Sequence, residues 1–267
     1  MSETKTIALH SYKGGTGKTT IISNLAAYYA RSGFKVCLLD FDLTAPSLSI
    51  YFRKQPSIFM NDLLNGDADI SDVLIDVSAD LDLKGKLCLG FSSPKKEDLE
   101  EVEMRHDIKW QLAAIRRAFA AKKKLRDDYH FDFVFLDSSP GIRYWSINSL
   151  AVADYLLVVM KNSDMDIAGT KKMIEDIYDE LKKHGSKYFI VLNKVPGASP
   201  IEEMNQIEEK DFERKLEEEI GAKIIGKIPC FCDIQFSKHE FLFAVKKPDH
   251  PFSKQIATLA QTIRELS

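Results

Sequence analysis

Short apolar runs recur along the chain, with stretches of helical spacing between them. The runs at 5–11 (KTIALHS), 35–40 (KVCLLD), 85–91 (GKLCLGF), 131–137 (FDFVFLD), 154–160 (DYLLVVM), 186–193 (SKYFIVLN) and 222–228 (AKIIGKI) read as strands. Their apolar positions are continuous rather than alternating, which is the pattern of strands covered on both faces. The stretches 18–30, 97–125, 166–183, 201–220 and 252–266 read as helices. In the first of these Ile22, Leu25, Ala26 and Tyr29 share one helical face, and Gly33 supplies a stop. Strands and helices in alternation predict an α/β fold: a doubly wound, mostly parallel sheet flanked by helices on both faces. No repeat, low-complexity segment or Pro/Ser-rich linker interrupts the pattern, so residues 1–267 are expected to form a single domain.

Composition narrows the class without naming a function. A chain of 267 residues, 45% hydrophobic and 29% charged, is that of an ordinary globular protein with room for a sizeable core. The net charge of −3 gives no bulk attraction to nucleic acid or anionic lipid. The apolar run Tyr155–Met160 is far too short to span a bilayer, and the N-terminal MSETKTIALH lacks the basic and apolar regions of a signal peptide. Four cysteines in a chain this long are no disulfide framework, and a cytoplasmic location is expected.

Residues 11–20, SYKGGTGKTT, follow the first strand and open the first helix. Ligands of such sheets bind beyond the C-terminal strand ends. Glycines there let backbone N–H groups turn toward phosphate oxygens, and the helix N-terminus adds its dipole. On this reading Lys18 reaches the β- and γ-phosphates and the Thr19 hydroxyl ligates Mg²⁺. The usual pattern G-x-x-x-x-G-K-[ST] is not met, because its first glycine would fall at Tyr12. A dinucleotide fingerprint also fails, since Thr20 stands where its third glycine would be.

The segment KGGTGKTT resembles the deviant Walker A loop of the ParA/MinD family of P-loop ATPases, a group that also includes the nitrogenase iron protein and the Mrp-type cluster carriers. In that family the first glycine is dispensable, and an added lysine, here Lys13, reaches across a dimer interface to the partner's nucleotide. The resemblance implies that Lys13, Gly14, Gly15, Thr16, Gly17, Lys18, Thr19 and Thr20 bind ATP. LLDFDLTAPSL (38–48) resembles the first switch, with Asp42 positioning the attacking water and Asp40 near the Mg²⁺ shell. FDFVFLD (131–137), continued by Ser138, Ser139, Pro140 and Gly141, resembles the Walker B strand and second switch. By that resemblance Asp137 holds Mg²⁺ through water and Pro140-Gly141 respond to the γ-phosphate. VLNK (191–194) and KIPCF (227–231) resemble the base pocket, which would place Asn193, Pro229 and Cys230 along the adenine. As local sequence, both are also ordinary strand exits.

Other signals pull elsewhere. Cys230 and Cys232, with His239 near in sequence, offer half of a metal or cluster site, although the usual spacing is C-x₂-C; base-pocket lining or packing is the other reading. Cys37 and Cys88 lie inside apolar strands and read as core. Arg116, Arg117, Lys122, Lys123, Lys124 and Arg126 could meet DNA phosphates, yet the acidic run before them favours a solvated face. The last helix, with Phe252, Ile256, Leu259, Ile263 and Leu266 at helical spacing, is expected to pack on the sheet rather than anchor to membrane.

The family resemblance thus implies a cytoplasmic Mg-ATP-dependent switch ATPase that dimerises on ATP binding and positions or regulates a larger assembly through a protein activator or cargo. Two other readings stay open: a nucleotide-binding scaffold without significant hydrolysis, and an Mrp-like cluster carrier resting on Cys230 and Cys232.

Overall fold

The runs read as strands pair into one sheet, and residues 4–104, 107–142, 150–183, 185–195 and 206–266 are described in the computed structural model. In chain order the elements are β1 (Lys5–His10), α1 (Lys18–Arg31), β2 (Lys35–Phe41), α2 (Leu48–Phe52), α3 (Met60–Asn65), α4 (Ile70–Val73), β3 (Ile75–Asp76) and β4 (Lys86–Gly90). There follow α5 (Lys96–Met104), α6 (Ile108–Asp127), β5 (Phe133–Ser138) and β6 (Tyr155–Met160). Next, α7 (Asp164–Met173) continues through a π-helical stretch (Ile174–Tyr178) into α8 (Asp179–Lys183), ahead of β7 (Lys187–Val195). The chain ends with α9 (Gln206–Ile220), β8 (Ile224–Pro229), α10 (Cys232–Gln235), α11 (Phe243–Lys246) and α12 (Pro251–Glu265).

Eight strands run in the order β3-β4-β2-β5-β1-β6-β7-β8. All pairs are parallel except β3–β4. The continuous apolar runs have the cause expected of them. Along β1, Ile7 and Leu9 enter one core while Ala8 enters the other; along β5, Phe133 and Phe135 divide from Val134 and Leu136 in the same way. Strands β1 and β5 are therefore covered on both faces. The expected doubly wound, mostly parallel sheet is the one observed.

Where pattern and structure differ, short-range chemistry is the reason. The stretch 97–125 is two helices, because Asp107 accepts a hydrogen bond from the Lys109 amide (2.9 Å) and restarts the helix there. Helices α2, α3 and α4 and the antiparallel β3 are too short to carry a readable period. The start predicted for the helix 201–220 lies outside the described residues, and its described part begins at Gln206. Helix α12 buries Phe252, Ile256, Leu259 and Ile263 in the core shared with α1, and Tyr29 of α1 donates to the Ala260 carbonyl at 2.6 Å. No described helix is long and apolar enough to cross a membrane.

Strand β1 lies between β5 and β6, so the chain leaving it for β2 and the chain entering β6 diverge on its two sides. That divergence opens a crevice above the C-terminal end of β1. The fully buried Leu157 of β6 and the exposed Leu112 of α6 give a contrast that checks this layering. Leu157→Ala should cost about 2–5 kcal/mol in urea unfolding, and Leu112→Ala should stay within about 0.5 kcal/mol. Equal losses would contradict the core assignment.

Candidate functional site

The crevice above β1 is built first by backbone geometry. Gly15 and Gly17 adopt φ of +73° and +96°, the left-handed region that side chains disfavour. A Cβ on Gly17 would also collide with Nδ2 of Asn193, which donates to the Thr16 carbonyl at 2.6 Å. Helix α1 starts at Lys18 with its N-terminus toward the crevice. Ser11 ties the loop together, its Oγ donating to the Lys13 carbonyl (2.7 Å) and accepting from Lys18 Nζ (3.0 Å). Lys18 is only 7% exposed, and burial draws its ammonium below the usual lysine range, against the attraction of Asp137 and Asp42.

Two carboxylates lie behind the loop. Asp40 and Asp137 are direct register partners at the ends of β2 and β5, and both are buried. Asp40 Oδ1 accepts the Asp42 amide at 2.9 Å, and Asp137 accepts a hydrogen bond from Thr19. Asp40 Oδ2 and Asp137 Oδ1 are buried without a partner. Burial, followed by the charge of Asp137, pushes Asp40 well above the carboxylate range. Burial pushes Asp137 up to about 7, with Thr19 and Lys18 opposing. Open carboxylate oxygens beside a threonine hydroxyl are the hard donor set that suits Mg²⁺, so these residues fit that ion. Among the described residues no three His, Cys, Asp or Glu side chains form a metal cluster by themselves.

Asp42 stands at the cavity edge, fixed through one oxygen. Its Oδ1 accepts from Ser139 Oγ (2.7 Å), Thr44 Oγ1 (3.0 Å) and the Ala45 amide (3.0 Å). The cavity has a volume of about 450 Å³. Gly14, Gly15, Gly17, Lys18, Thr19 and Thr20 line it, as do Asn193, Pro229 and Cys230 with Phe231, Phe241 and Phe243. That is the size and mixed polarity of a small-ligand site. Lys13 and Thr16 lie outside the cavity wall: Thr16 is buried beneath the loop, and Lys13 Nζ stands 6.0 Å from the centre of the Tyr12 ring.

Several contributors carry no local motif. Asn24, buried in α1, donates to the Thr20 and Phe241 carbonyls (both 2.8 Å) and accepts the Ala244 amide (2.9 Å), fastening the aromatic wall to the loop's helix. Tyr51 bonds Thr20 Oγ1 at 2.8 Å and packs on Phe241 with ring centres 4.9 Å apart. His10 is buried, with Nε2 3.1 Å from the Gly141 carbonyl and Nδ1 2.5 Å from the Tyr178 hydroxyl. The only sequence signals were the serine pair Ser138-Ser139 and a histidine in an apolar strand.

Among the basic residues of α6, Arg117 donates to the Leu64 carbonyl, Lys122 pairs with Asp154 and Lys124 with Asp69, while Arg126 pairs with its neighbour Asp127. Arg116 and Lys123 are exposed. Cys37 and Cys88 are buried in the core as expected, and Cys230 and Cys232 are exposed.

The AAA domain family model (AAA_31) matches residues 4–189. An ATP-binding protein of Methanocaldococcus jannaschii is 30% identical over 199 residues, covering 71% of each chain. The septum site-determining protein MinD of Thermotoga maritima is 26% identical, over 97% of this chain and 87% of its own. This chain is a ParA/MinD-like P-loop ATPase family member. Its fold matches the solved Pyrococcus horikoshii MinD, a complex with Mg-ADP, at a TM-score of 0.74 and 20% identity, over 98% of this chain and 96% of that one. In this ParA/MinD-like chain Tyr12 stands where other phosphate loops carry their first glycine.

Burial of His10 generates a pH prediction. Burial first, and then the charge of Lys18, lowers its pKa from 6.5 to about 3. The unfolded chain takes up a proton near pH 6.5 and the folded chain does not until about pH 3. The stability that neutral His10 permits is thus full above pH 6.5 and is lost as pH falls through that window. At pH 5 the loss is about 2 kcal/mol. Denaturant unfolding from pH 7 to pH 5 should show this extra loss in the native chain and not in His10→Gln; matching slopes would refute it.

Proposed function

We propose that this chain is a nucleotide-driven switch: it binds ATP with Mg²⁺, dimerises in that state, hydrolyses ATP slowly, and so positions or regulates a larger cellular assembly. The observation that supports this most is the pair of open oxygens on Asp40 and Asp137, facing the region of Lys18 and Thr19 under a glycine loop. Buried anions without partners are costly and ask for a cation.

In this reading Lys18 meets the β- and γ-phosphates from a position already fixed by Ser11, so little reorganisation is needed. Thr19 would ligate Mg²⁺ directly, Asp137 would hold it through water, and Asp40 would lie near its shell. An ion held by these residues would supply positive charge against the negative charge that develops on the phosphates. Asp42 orients the attacking water, its rotamer fixed by Ser139, Thr44 and the Ala45 amide. Lys13 leaves the chain's own cavity free and crosses to the partner protomer's nucleotide, which makes hydrolysis conditional on assembly. Asn193 has committed Nδ2 to the loop, so Oδ1 is the acceptor for the adenine amino group, with Pro229 and Cys230 along the base. The Thermotoga maritima relative's name points to the same class of task, placing a cellular structure.

Three variants test the assignments. Lys18→Ala should lose ATP binding. Asp42→Ala should bind ATP and dimerise but turn over about 10²-fold or more slowly. Lys13→Ala should bind ATP yet lose ATP-dependent dimers in light scattering, along with turnover. Hydrolysis by Lys13→Ala at the native rate would remove the in-trans role. ATP binding with no turnover in the native chain would leave the scaffold reading instead.

A further inference from the structure

Helix α7 starts beside the phosphate loop and does not continue as an α-helix, passing instead through the π-helical stretch Ile174–Tyr178. Such turns are rare and occur inside α-helices most often at functional sites. Here the stretch ends on Tyr178, fully buried, whose hydroxyl lies 2.5 Å from His10 Nδ1. The two rings meet edge-on, 6.0 Å apart at 74°.

His10 ends β1 and makes a second contact, from Nε2 to the Gly141 carbonyl at 3.1 Å. A carbonyl can only accept, so Nε2 carries the proton, Nδ1 accepts, and Tyr178 donates. The tautomer is therefore dictated from both ends. The Gly141 amide in turn donates to the Ser11 carbonyl at 2.8 Å. Gly141, at φ +80°, is thus held through both its carbonyl and its amide by the end of β1. A second contact braces the same region. The Tyr12 ring fills a notch at Gly169 of α7, where a Cβ would collide with it.

We infer that Tyr178 and His10 are positioning residues for the second switch, the Tyr178–His10–Gly141 chain setting where Pro140-Gly141 stand against the phosphate loop. The inference rests on the reading of this site as an ATP-driven switch. Its logic is that of a latch. Moving Gly141 away takes the 3.1 Å acceptor from a buried imidazole N–H and leaves it only the Ser139 backbone, which favours one resting place for the switch over a continuum. Loss of the Tyr178 hydroxyl leaves Nδ1 without its donor and lets the imidazole tilt, while the Gly141 carbonyl still keeps the proton on Nε2, so the hold on Gly141 loosens without a change of tautomer. Tyr178 therefore acts on Gly141 through His10, without touching the loop itself.

The test uses the full chain, with Tyr178→Phe, which keeps the ring and loses the donor, and His10→Gln, which keeps one donor and one acceptor. In Tyr178→Phe, hydrogen exchange at Gly141 should rise about tenfold, the loss expected for one buried hydrogen bond. Exchange in α12 should not change. Turnover should fall about tenfold with KM for ATP within twofold, and His10→Gln should fall between that variant and the native chain. In the native chain, ¹⁵N shifts of His10 should report the Nε2–H tautomer, a readout that needs no variant to fold. A native Nδ1–H tautomer overturns the inference, as does unchanged exchange at Gly141 in a folded Tyr178→Phe. If the native chain shows no ATPase activity, the functional reading fails while the exchange and ¹⁵N results still decide the latch.

Discussion

Two carboxylates side by side at the ends of adjacent parallel strands set the terms for the rest of the site. Asp40 and Asp137 are brought together by the β2–β5 register, and the backbone that aligns them cannot move without breaking the sheet. Buried and near each other, they repel and lose hydration at once. The surrounding chain answers that cost. Lys18 is buried within reach of their field, Thr19 bonds one of them, and the Asp42 amide bonds the other. Glycines at 15 and 17 let the loop pass close enough for Lys18 and Thr19 to arrive. Helix α1 runs on directly from this loop and is seated by its own apolar face, with Tyr29 donating to the Ala260 carbonyl.

Much of this was legible because the chemistry sits in short, ordered segments at strand ends. The loop at 11–20 and the aspartates at 40, 42 and 137 each follow an apolar run that could only be a covered strand. Their juxtaposition then follows from topology, since parallel strands present their C-terminal ends to one crevice. The residues that tune the site were hidden for the opposite reason. Asn24 works through residues 217 and 220 positions away, and His10 through partners 131 and 168 away. Nothing local distinguishes such a side chain from an ordinary polar residue. The break between α5 and α6 was hidden by scale, since one capping aspartate outweighs a periodic pattern that looks continuous.

The phosphate loop is usually described by what it offers to a ligand, but here its rear surface is as specified as its front. Ser11 faces Lys18 and Gly141, Tyr12 faces Gly169, and His10 faces Tyr178. A tyrosine at position 12 is thus a packing group where other loops keep a bare backbone, and the notch at Gly169 is its complement. Lys13 follows directly on that anchored residue, which fixes the root of its side chain while its ammonium remains at the surface of the loop.

The amide of Asn24 has a further consequence. The family match ends at residue 189, whereas the aromatic wall at 231–252 comes from the last fifth of the chain. The phosphate loop and the aromatic wall therefore come from distant parts of the chain, joined by Asn24 of α1 together with Tyr51, which bonds Thr20 and packs on Phe241. That makes Asn24 and Tyr51 the two pins that hold the wall in register with the loop. A wall residue such as Phe231, whose side chain makes none of these contacts, can change without removing a bond that anchors the loop.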